Sequence, residues 1–154
     1  MTEANDNTLL KQNLNRLIVY FETLDRRTLK QLADYYAADA YFKDPFNEVS
    51  GPQAIERIFS HMFEQLEAPR FIITGRYLSD DNSISEAMLR WELRFKSRSM
   101  GPAEQSIVGS TWLCFDAKGL VTLHRDYWDA SEELFSKLPL IGPLSRLLRR
   151  QLAA

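Results

Sequence analysis

The chain has 154 residues, 45% hydrophobic and 26% charged, the composition of one globular domain rather than of a disordered chain. Nineteen Lys and Arg against 21 Asp and Glu leave a formal charge of −2, unlike the basic balance of a general nucleic-acid binder. The single Cys114 excludes an intramolecular disulfide and a multi-cysteine zinc site, and no apolar run reaches the roughly 18 residues of a membrane span.

The start, MTEANDNTLLKQN, lacks the basic-then-apolar order of a secretion signal, so a cytoplasmic protein is expected. Leu10, Leu14, Leu17, Ile18 and Phe21 recur at helical spacing and predict a helix over 8–24. A shorter helix is expected over 28–38, with Thr28 as N-cap and Leu29, Leu32 and Tyr36 on one face. Residues 41–44 read as a short strand stopped by Pro45. Ser50-Gly51-Pro52 opens a third helix, with Ile55, Ile58, Phe59, Met62 and Leu66 inward and Ala68-Pro69 at its end.

From residue 70 the period changes to two. Segments 70–78, 85–97, 105–116 and 119–128 predict four strands, most simply an antiparallel meander. Asp129 to Glu132 matches a capping box and starts a helix to about Leu138. A last helix over 143–152 aligns Leu144, Leu147, Leu148 and Leu152. After Glu133 there are no acids, and Lys137, Arg146, Arg149 and Arg150 make the tail basic. Such a helix is expected to pack its leucines on its own domain or a partner subunit. The whole chain, 1–154, reads as one α+β domain: a strongly curved antiparallel sheet, a cone-shaped half-barrel, wrapped around N-terminal helices, with an amphipathic helical tail over 137–154. The cone would leave a largely apolar pocket for a small ligand.

The run from Tyr36 through Asp44-Pro45, followed by Gly51 and a helix, resembles the nuclear transport factor 2-like superfamily, in its SnoaL-like and ketosteroid isomerase-like branch. The resemblance covers roughly residues 8–137. It implies a cystatin-like α+β fold, a homodimer and chemistry without cofactor or metal. In the isomerases an Asp-Pro at this point supplies the catalytic base, which implies that role for Asp44. It also implies an oxyanion-donor role for Tyr20, which borders the apolar face of the first helix. A carboxylate in an apolar cavity can take a proton from carbon, and a phenol can donate to the oxyanion that forms. Thr111 stands where the isomerases carry a protonated aspartic acid. Asp44 also suits a plain turn before Pro45, and Tyr20 a core-edge tyrosine with a satisfied hydroxyl.

His124-Arg125-Asp126-Tyr127-Trp128-Asp129 resembles a segment of limonene epoxide hydrolase in which the first Asp helps activate water. Period-two geometry puts His124, Asp126 and Trp128 on one face. His124 is a candidate acid or base near neutral pH, with Asp126 orienting it or acting itself. The hydrolase's Arg-x-Asp would fall on Arg90-Trp91-Glu92, and its Tyr and Asn on Phe42 and Asp44. Alternation instead buries Leu89, Trp91, Leu93 and Phe95 and turns Arg90, Glu92, Arg94 and Lys96 outward. Asp126 also suits a structural carboxylate. His61 reads as a surface or core-edge residue, and Cys114 as a buried small hydrophobe.

The sequence thus predicts catalytic Asp44, Tyr20, Asp126 and His124, with Thr111, Trp128, Phe42 and Leu113 as substrate contacts. The leading reading is a cofactor-independent isomerase or related proton-transfer enzyme on a small apolar carbonyl compound. A non-catalytic binding or interaction module and an epoxide-opening hydrolase are the alternatives. The expected partners are a small apolar ligand and a second copy of the chain, with no nucleic acid and no membrane span.

Overall fold

A computed structural model describes residues 3–79, 81 and 85–133. Helix α1 (Glu3–Glu22) is followed by a 3₁₀ turn (Thr28–Asp34), strands β1 (Tyr36–Lys43) and β2 (Glu48–Ser50), and helix α2 (Pro52–Gln65). Strands β3 (Glu67–Leu78), β4 (Glu86–Lys96), β5 (Gln105–Phe115) and β6 (Val121–Tyr127) come next, then the short α3 (Ala130–Glu133). The strands form one sheet in the order β2-β1-β6-β5-β4-β3.

The four-stranded meander is present, with antiparallel pairing throughout. The wholly antiparallel sheet is corrected: β1 pairs with β6 in parallel, so the six-stranded sheet is mixed. The helix expected over 28–38 is corrected too. The 3₁₀ turn ends at Asp34, and Tyr36 begins a strand. A register irregularity between Tyr36 and Tyr41 leaves Ala38 and Asp39 both exposed and interrupts the two-residue alternation. Leu29, Leu32 and Tyr36 then mimic helical spacing. Thr28 is not the cap. Asp25 Oδ1 accepts the Thr28 and Arg27 N–H groups at 2.8 and 2.7 Å, and the Thr28 bond first, then the Arg27 guanidinium on Oδ2, holds the Asp25 carboxyl down at about 2.

Gly51 takes φ 88° and donates its N–H to the Ala40 carbonyl, so the chain can turn from β2 into α2. Ile55, Phe59 and Phe63 form the buried stripe of α2, while Ile58, Met62 and Leu66 pack beside it. The helix ends at Gln65, so Ala68 and Pro69 lie inside β3, where Ala68 at φ 47° breaks the pairing between Glu67 and Arg70. The helices meet the sheet ring to ring. Phe21 of α1 lies 5.9 Å from both Phe59 of α2 and Phe71 of β3. Asp129 Oδ1 caps α3 through the Ser131 and Glu132 N–H groups at 2.9 and 3.1 Å. The helix predicted over 143–152 and the tail from 137 lie outside the described residues. Among the described residues no helix is long and apolar enough to cross a membrane.

Candidate functional site

Alternation along β6 places His124 and Asp126 on the inner face, and β5 sets Thr111 directly beside Asp126. On β4, Trp91 lies opposite Gly109 of β5. These positions join into one hydrogen-bonded chain. Trp91 Nε1–H donates to Thr111 Oγ1 at 2.7 Å. An indole can only donate, so the Thr111 hydroxyl turns its own proton to Asp126 Oδ1 at 2.5 Å. His124 Nε2 meets the same Oδ1 at 2.9 Å. Its Nδ1 meets the Tyr36 hydroxyl at 2.6 Å. Both branches therefore end on one oxygen. Oδ2 of Asp126 carries no hydrogen bond among the described residues.

The chain is sealed from water on its far side. His124 is only 3% exposed and lies among Phe21, Phe42 and Phe59, with ring centroids 4.8 to 6.5 Å away. Tyr36 is buried, and burial first, then the Asp126 charge, pushes its phenol well above the usual range. Tyr36 thus stays a neutral hydroxyl. The Asp126 side chain keeps 15% exposure and lines a cavity of about 470 Å³. Phe42, Phe59, Phe71, Trp91 and Trp128 wall that cavity, with Phe46 edge-on to Trp128 at 5.5 Å. A void of about 20 Å³ continues behind Asp126, between Thr111, His124 and the Phe21 and Leu89 side chains.

Asp126 lines both spaces; Phe42 and Trp128 join it in the cavity, and His124 and Thr111 in the void. Three expected members stand elsewhere or are otherwise engaged. The Tyr20 hydroxyl does not enter the cavity: it lies 3.4 Å from the Thr28 and Leu29 carbonyls, with its ring stacked on Tyr35 at 4.2 Å. Burial, and then Tyr35, raise its pKa. Leu113 is fully buried and lines neither space, since its neighbours are the core. Asp44 lines the cavity mouth, but its carboxylate builds the β1–β2 turn. Oδ1 accepts the Phe46 and Asn47 N–H groups at 2.7 and 2.6 Å, and the Asn47 amide spans both oxygens at 3.1 and 3.0 Å.

Arg90 and Glu92 face outward, as alternation predicts: Arg90 bonds Thr74 at 3.2 Å and Glu92 pairs with Arg94 at 2.9 Å. Cys114 is not a buried hydrophobe. It alternates with inward Leu113 and Phe115, so it stands on the outer face, 3.7 Å from Glu86 Oε1. Partial burial, then the Glu86 charge, pushes its thiol up to about 11. His61 is exposed at the cavity mouth, 3.8 Å from Glu64. Sequence reasoning missed Tyr36 as a site residue, because its partner lies 88 residues away. A larger open groove of about 1160 Å³, between the ends of α1, α2 and β4, contains none of the expected site residues. Among the described residues no group of three or more His, Cys, Asp or Glu is placed to hold a metal ion.

A family model described as a SnoaL-like domain matches residues 18–124. No curated protein matches. Among solved structures, the chain is similar to a hypothetical protein of ketosteroid isomerase-like fold from Catenulispora acidiphila, in complex with trimethylamine. The two share 16% identity over 85% of this chain and 95% of that one, with a TM-score of 0.66. A protein from Shewanella putrefaciens, described as a putative SnoaL-like polyketide cyclase, is 20% identical over 81% and 95% of the two chains, with a TM-score of 0.63. An epoxide hydrolase of M. tuberculosis, limonene epoxide hydrolase-like, is 12% identical over 93% of each chain, with a TM-score of 0.63. At these identities the likeness is one of fold.

Proposed function

The chain belongs to the SnoaL-like domain family, and on that footing we propose that it is a cofactor-independent proton-transfer enzyme, an isomerase or close relative, acting on a small apolar carbonyl compound. One observation carries the reading. Both branches of the buried chain converge on Asp126 Oδ1, while Oδ2 has no bond among the described residues and Asp126 lines an aromatic cavity. Oδ2 is the base. It takes a proton from the carbon next to the carbonyl, the electron pair moves onto the carbonyl oxygen, and the new Asp126 O–H returns the proton to carbon. Thr111 and His124 hold the carboxylate in place without touching the substrate. The Trp128 indole N–H has no partner among the described residues and is a donor available to the developing oxyanion. Phe42 and Trp128 contact the apolar body.

The roles differ from those the resemblance implied. Asp126 replaces Asp44 as base, because the Asp44 oxygens are taken up by its own turn. Epoxide opening loses its support, since it requires Arg90 and Glu92 to point inward. An interaction module without a ligand would suit a cavity filled by side chains, and the described residues leave about 470 Å³ open. The trimethylamine held by the Catenulispora protein supports small-ligand binding in this fold.

The test is hydrogen exchange at carbon. A panel of small cyclic and aryl ketones is incubated with the protein in D₂O, and deuterium uptake beside the carbonyl is followed by mass spectrometry. Uptake above the buffer rate for at least one ketone is expected. Ketones that bind in the cavity without any exchange would replace the enzyme with the binding module.

The outer sheet face exposes Tyr77, Met88, Val108 and Tyr127. This face is the proposed homodimer contact. Sedimentation should give a dimer that Val108→Asp converts to monomer; a wild-type monomer at high micromolar concentration would remove the proposal.

A further inference from the structure

The cavity carries acidic groups at both floor and mouth, and one basic group at the mouth. Its floor holds the Asp126 carboxylate. At its mouth Arg57 is the only lysine or arginine among the described lining residues. Arg57 is exposed on α2, between the buried Ile55 and Phe59, and it makes no ion pair or hydrogen bond among the described residues. The other titratable groups at the mouth have partners within the chain: the Asp44 carboxylate, which keeps its charge, accepts from the Phe46 and Asn47 N–H groups and the Asn47 amide, and His61 faces Glu64 at 3.8 Å. A guanidinium presents a planar fork of donors that matches a carboxylate, and its cost of desolvation at a rim is small.

We propose that Arg57 binds an anionic terminus of the cavity's ligand, which makes the ligand class an apolar acid: a ring or chain body inside, a carboxylate at the mouth. Of the three fixed charges that line the cavity, Asp44, Arg57 and Asp126, only Arg57 is positive, and it sets the direction. An anion carried to the floor would meet the Asp126 carboxylate, while the same anion at the mouth meets Arg57. The apolar end then enters first, towards Asp126. The inference rests on the reading of this cavity as the ligand site, and not on the chemistry of Asp126.

The test uses two fluorescent probes of one shape, anilinonaphthalenesulfonate and the neutral N-phenylnaphthylamine. Shifts of the Trp91 and Trp128 indole N–H resonances place each probe in the cavity. Arg57→Gln is expected to weaken the anionic probe by about three- to tenfold and to leave the neutral probe within about twofold. Raising the salt concentration should weaken only the anionic probe on the wild type. Equal effects on both probes, or none on either, would overturn the role of Arg57 while leaving the cavity as a binding site. Failure of both probes to move the indole resonances would instead remove the cavity reading beneath it. The exchange assay with Asp126→Asn reports on the proton-transfer reading separately.

Discussion

Asp126→Asn lowers carbon–hydrogen exchange by about 10² to 10⁴-fold, the range expected when a general base is removed. The substitution keeps shape. An asparagine Oδ1 can still accept from Thr111 and His124, as the carboxylate oxygen does at 2.5 and 2.9 Å. Its amide nitrogen, in the place of Oδ2, cannot take a proton from carbon. Ligand binding should therefore survive while exchange is lost. Asp44→Asn is the matched control. That side chain keeps an oxygen for the Phe46 and Asn47 N–H groups, so the turn persists and exchange stays within about threefold of wild type. The opposite pattern, with exchange lost in Asp44→Asn and kept in Asp126→Asn, would return the base to the β1–β2 turn.

Gly109→Ala should destabilise the fold by about 1–3 kcal/mol and slow exchange together. Gly109 lies opposite Trp91 in the β4–β5 register. A Cβ there would come within 2.5 Å of two indole carbons and 3.1 Å of Trp128 Cβ. The indole is a rigid plate among Phe71 and the cavity wall, with the Phe71 ring 5.8 Å away, so it must tilt as a unit. Tilting draws Nε1 away from Thr111, whose hydroxyl then loses the donor that turns its proton to Asp126. Urea denaturation gives the stability change, and the exchange assay gives the chemical one. A loss of stability with unchanged exchange would show that Trp91 packs the wall without steering Asp126.

Much of the fold was legible because its signals are local. The four meander strands announce themselves by two-residue alternation between turn residues, and the same alternation turns Arg90 and Glu92 outward and Trp91 inward. Helix α2 is marked by Gly51-Pro52 and by Ile55 and Phe59, although Phe63 completes its buried stripe. What stayed hidden depends on distant partners. The parallel pairing of β1 with β6 joins segments far apart in the chain, and the irregularity after Tyr36 breaks the pattern that would have revealed a strand. The bond from Tyr36 to His124 has no sequence signature. Asp44 shows the converse: Asp-Pro reads as a base by resemblance and as a turn by chemistry, and its bonds to Asn47 build the turn.

The most direct measurement of the central claim is a crystal structure of Asp126→Asn with a ketone that the wild type exchanges. The account places the exchanging carbon within roughly 3–3.5 Å of the residue 126 amide nitrogen, with the apolar body against Phe42, Phe59 and Trp128. A ketone whose exchanging carbon lies against Asp44, or which sits in the open groove beside Arg98, would contradict it.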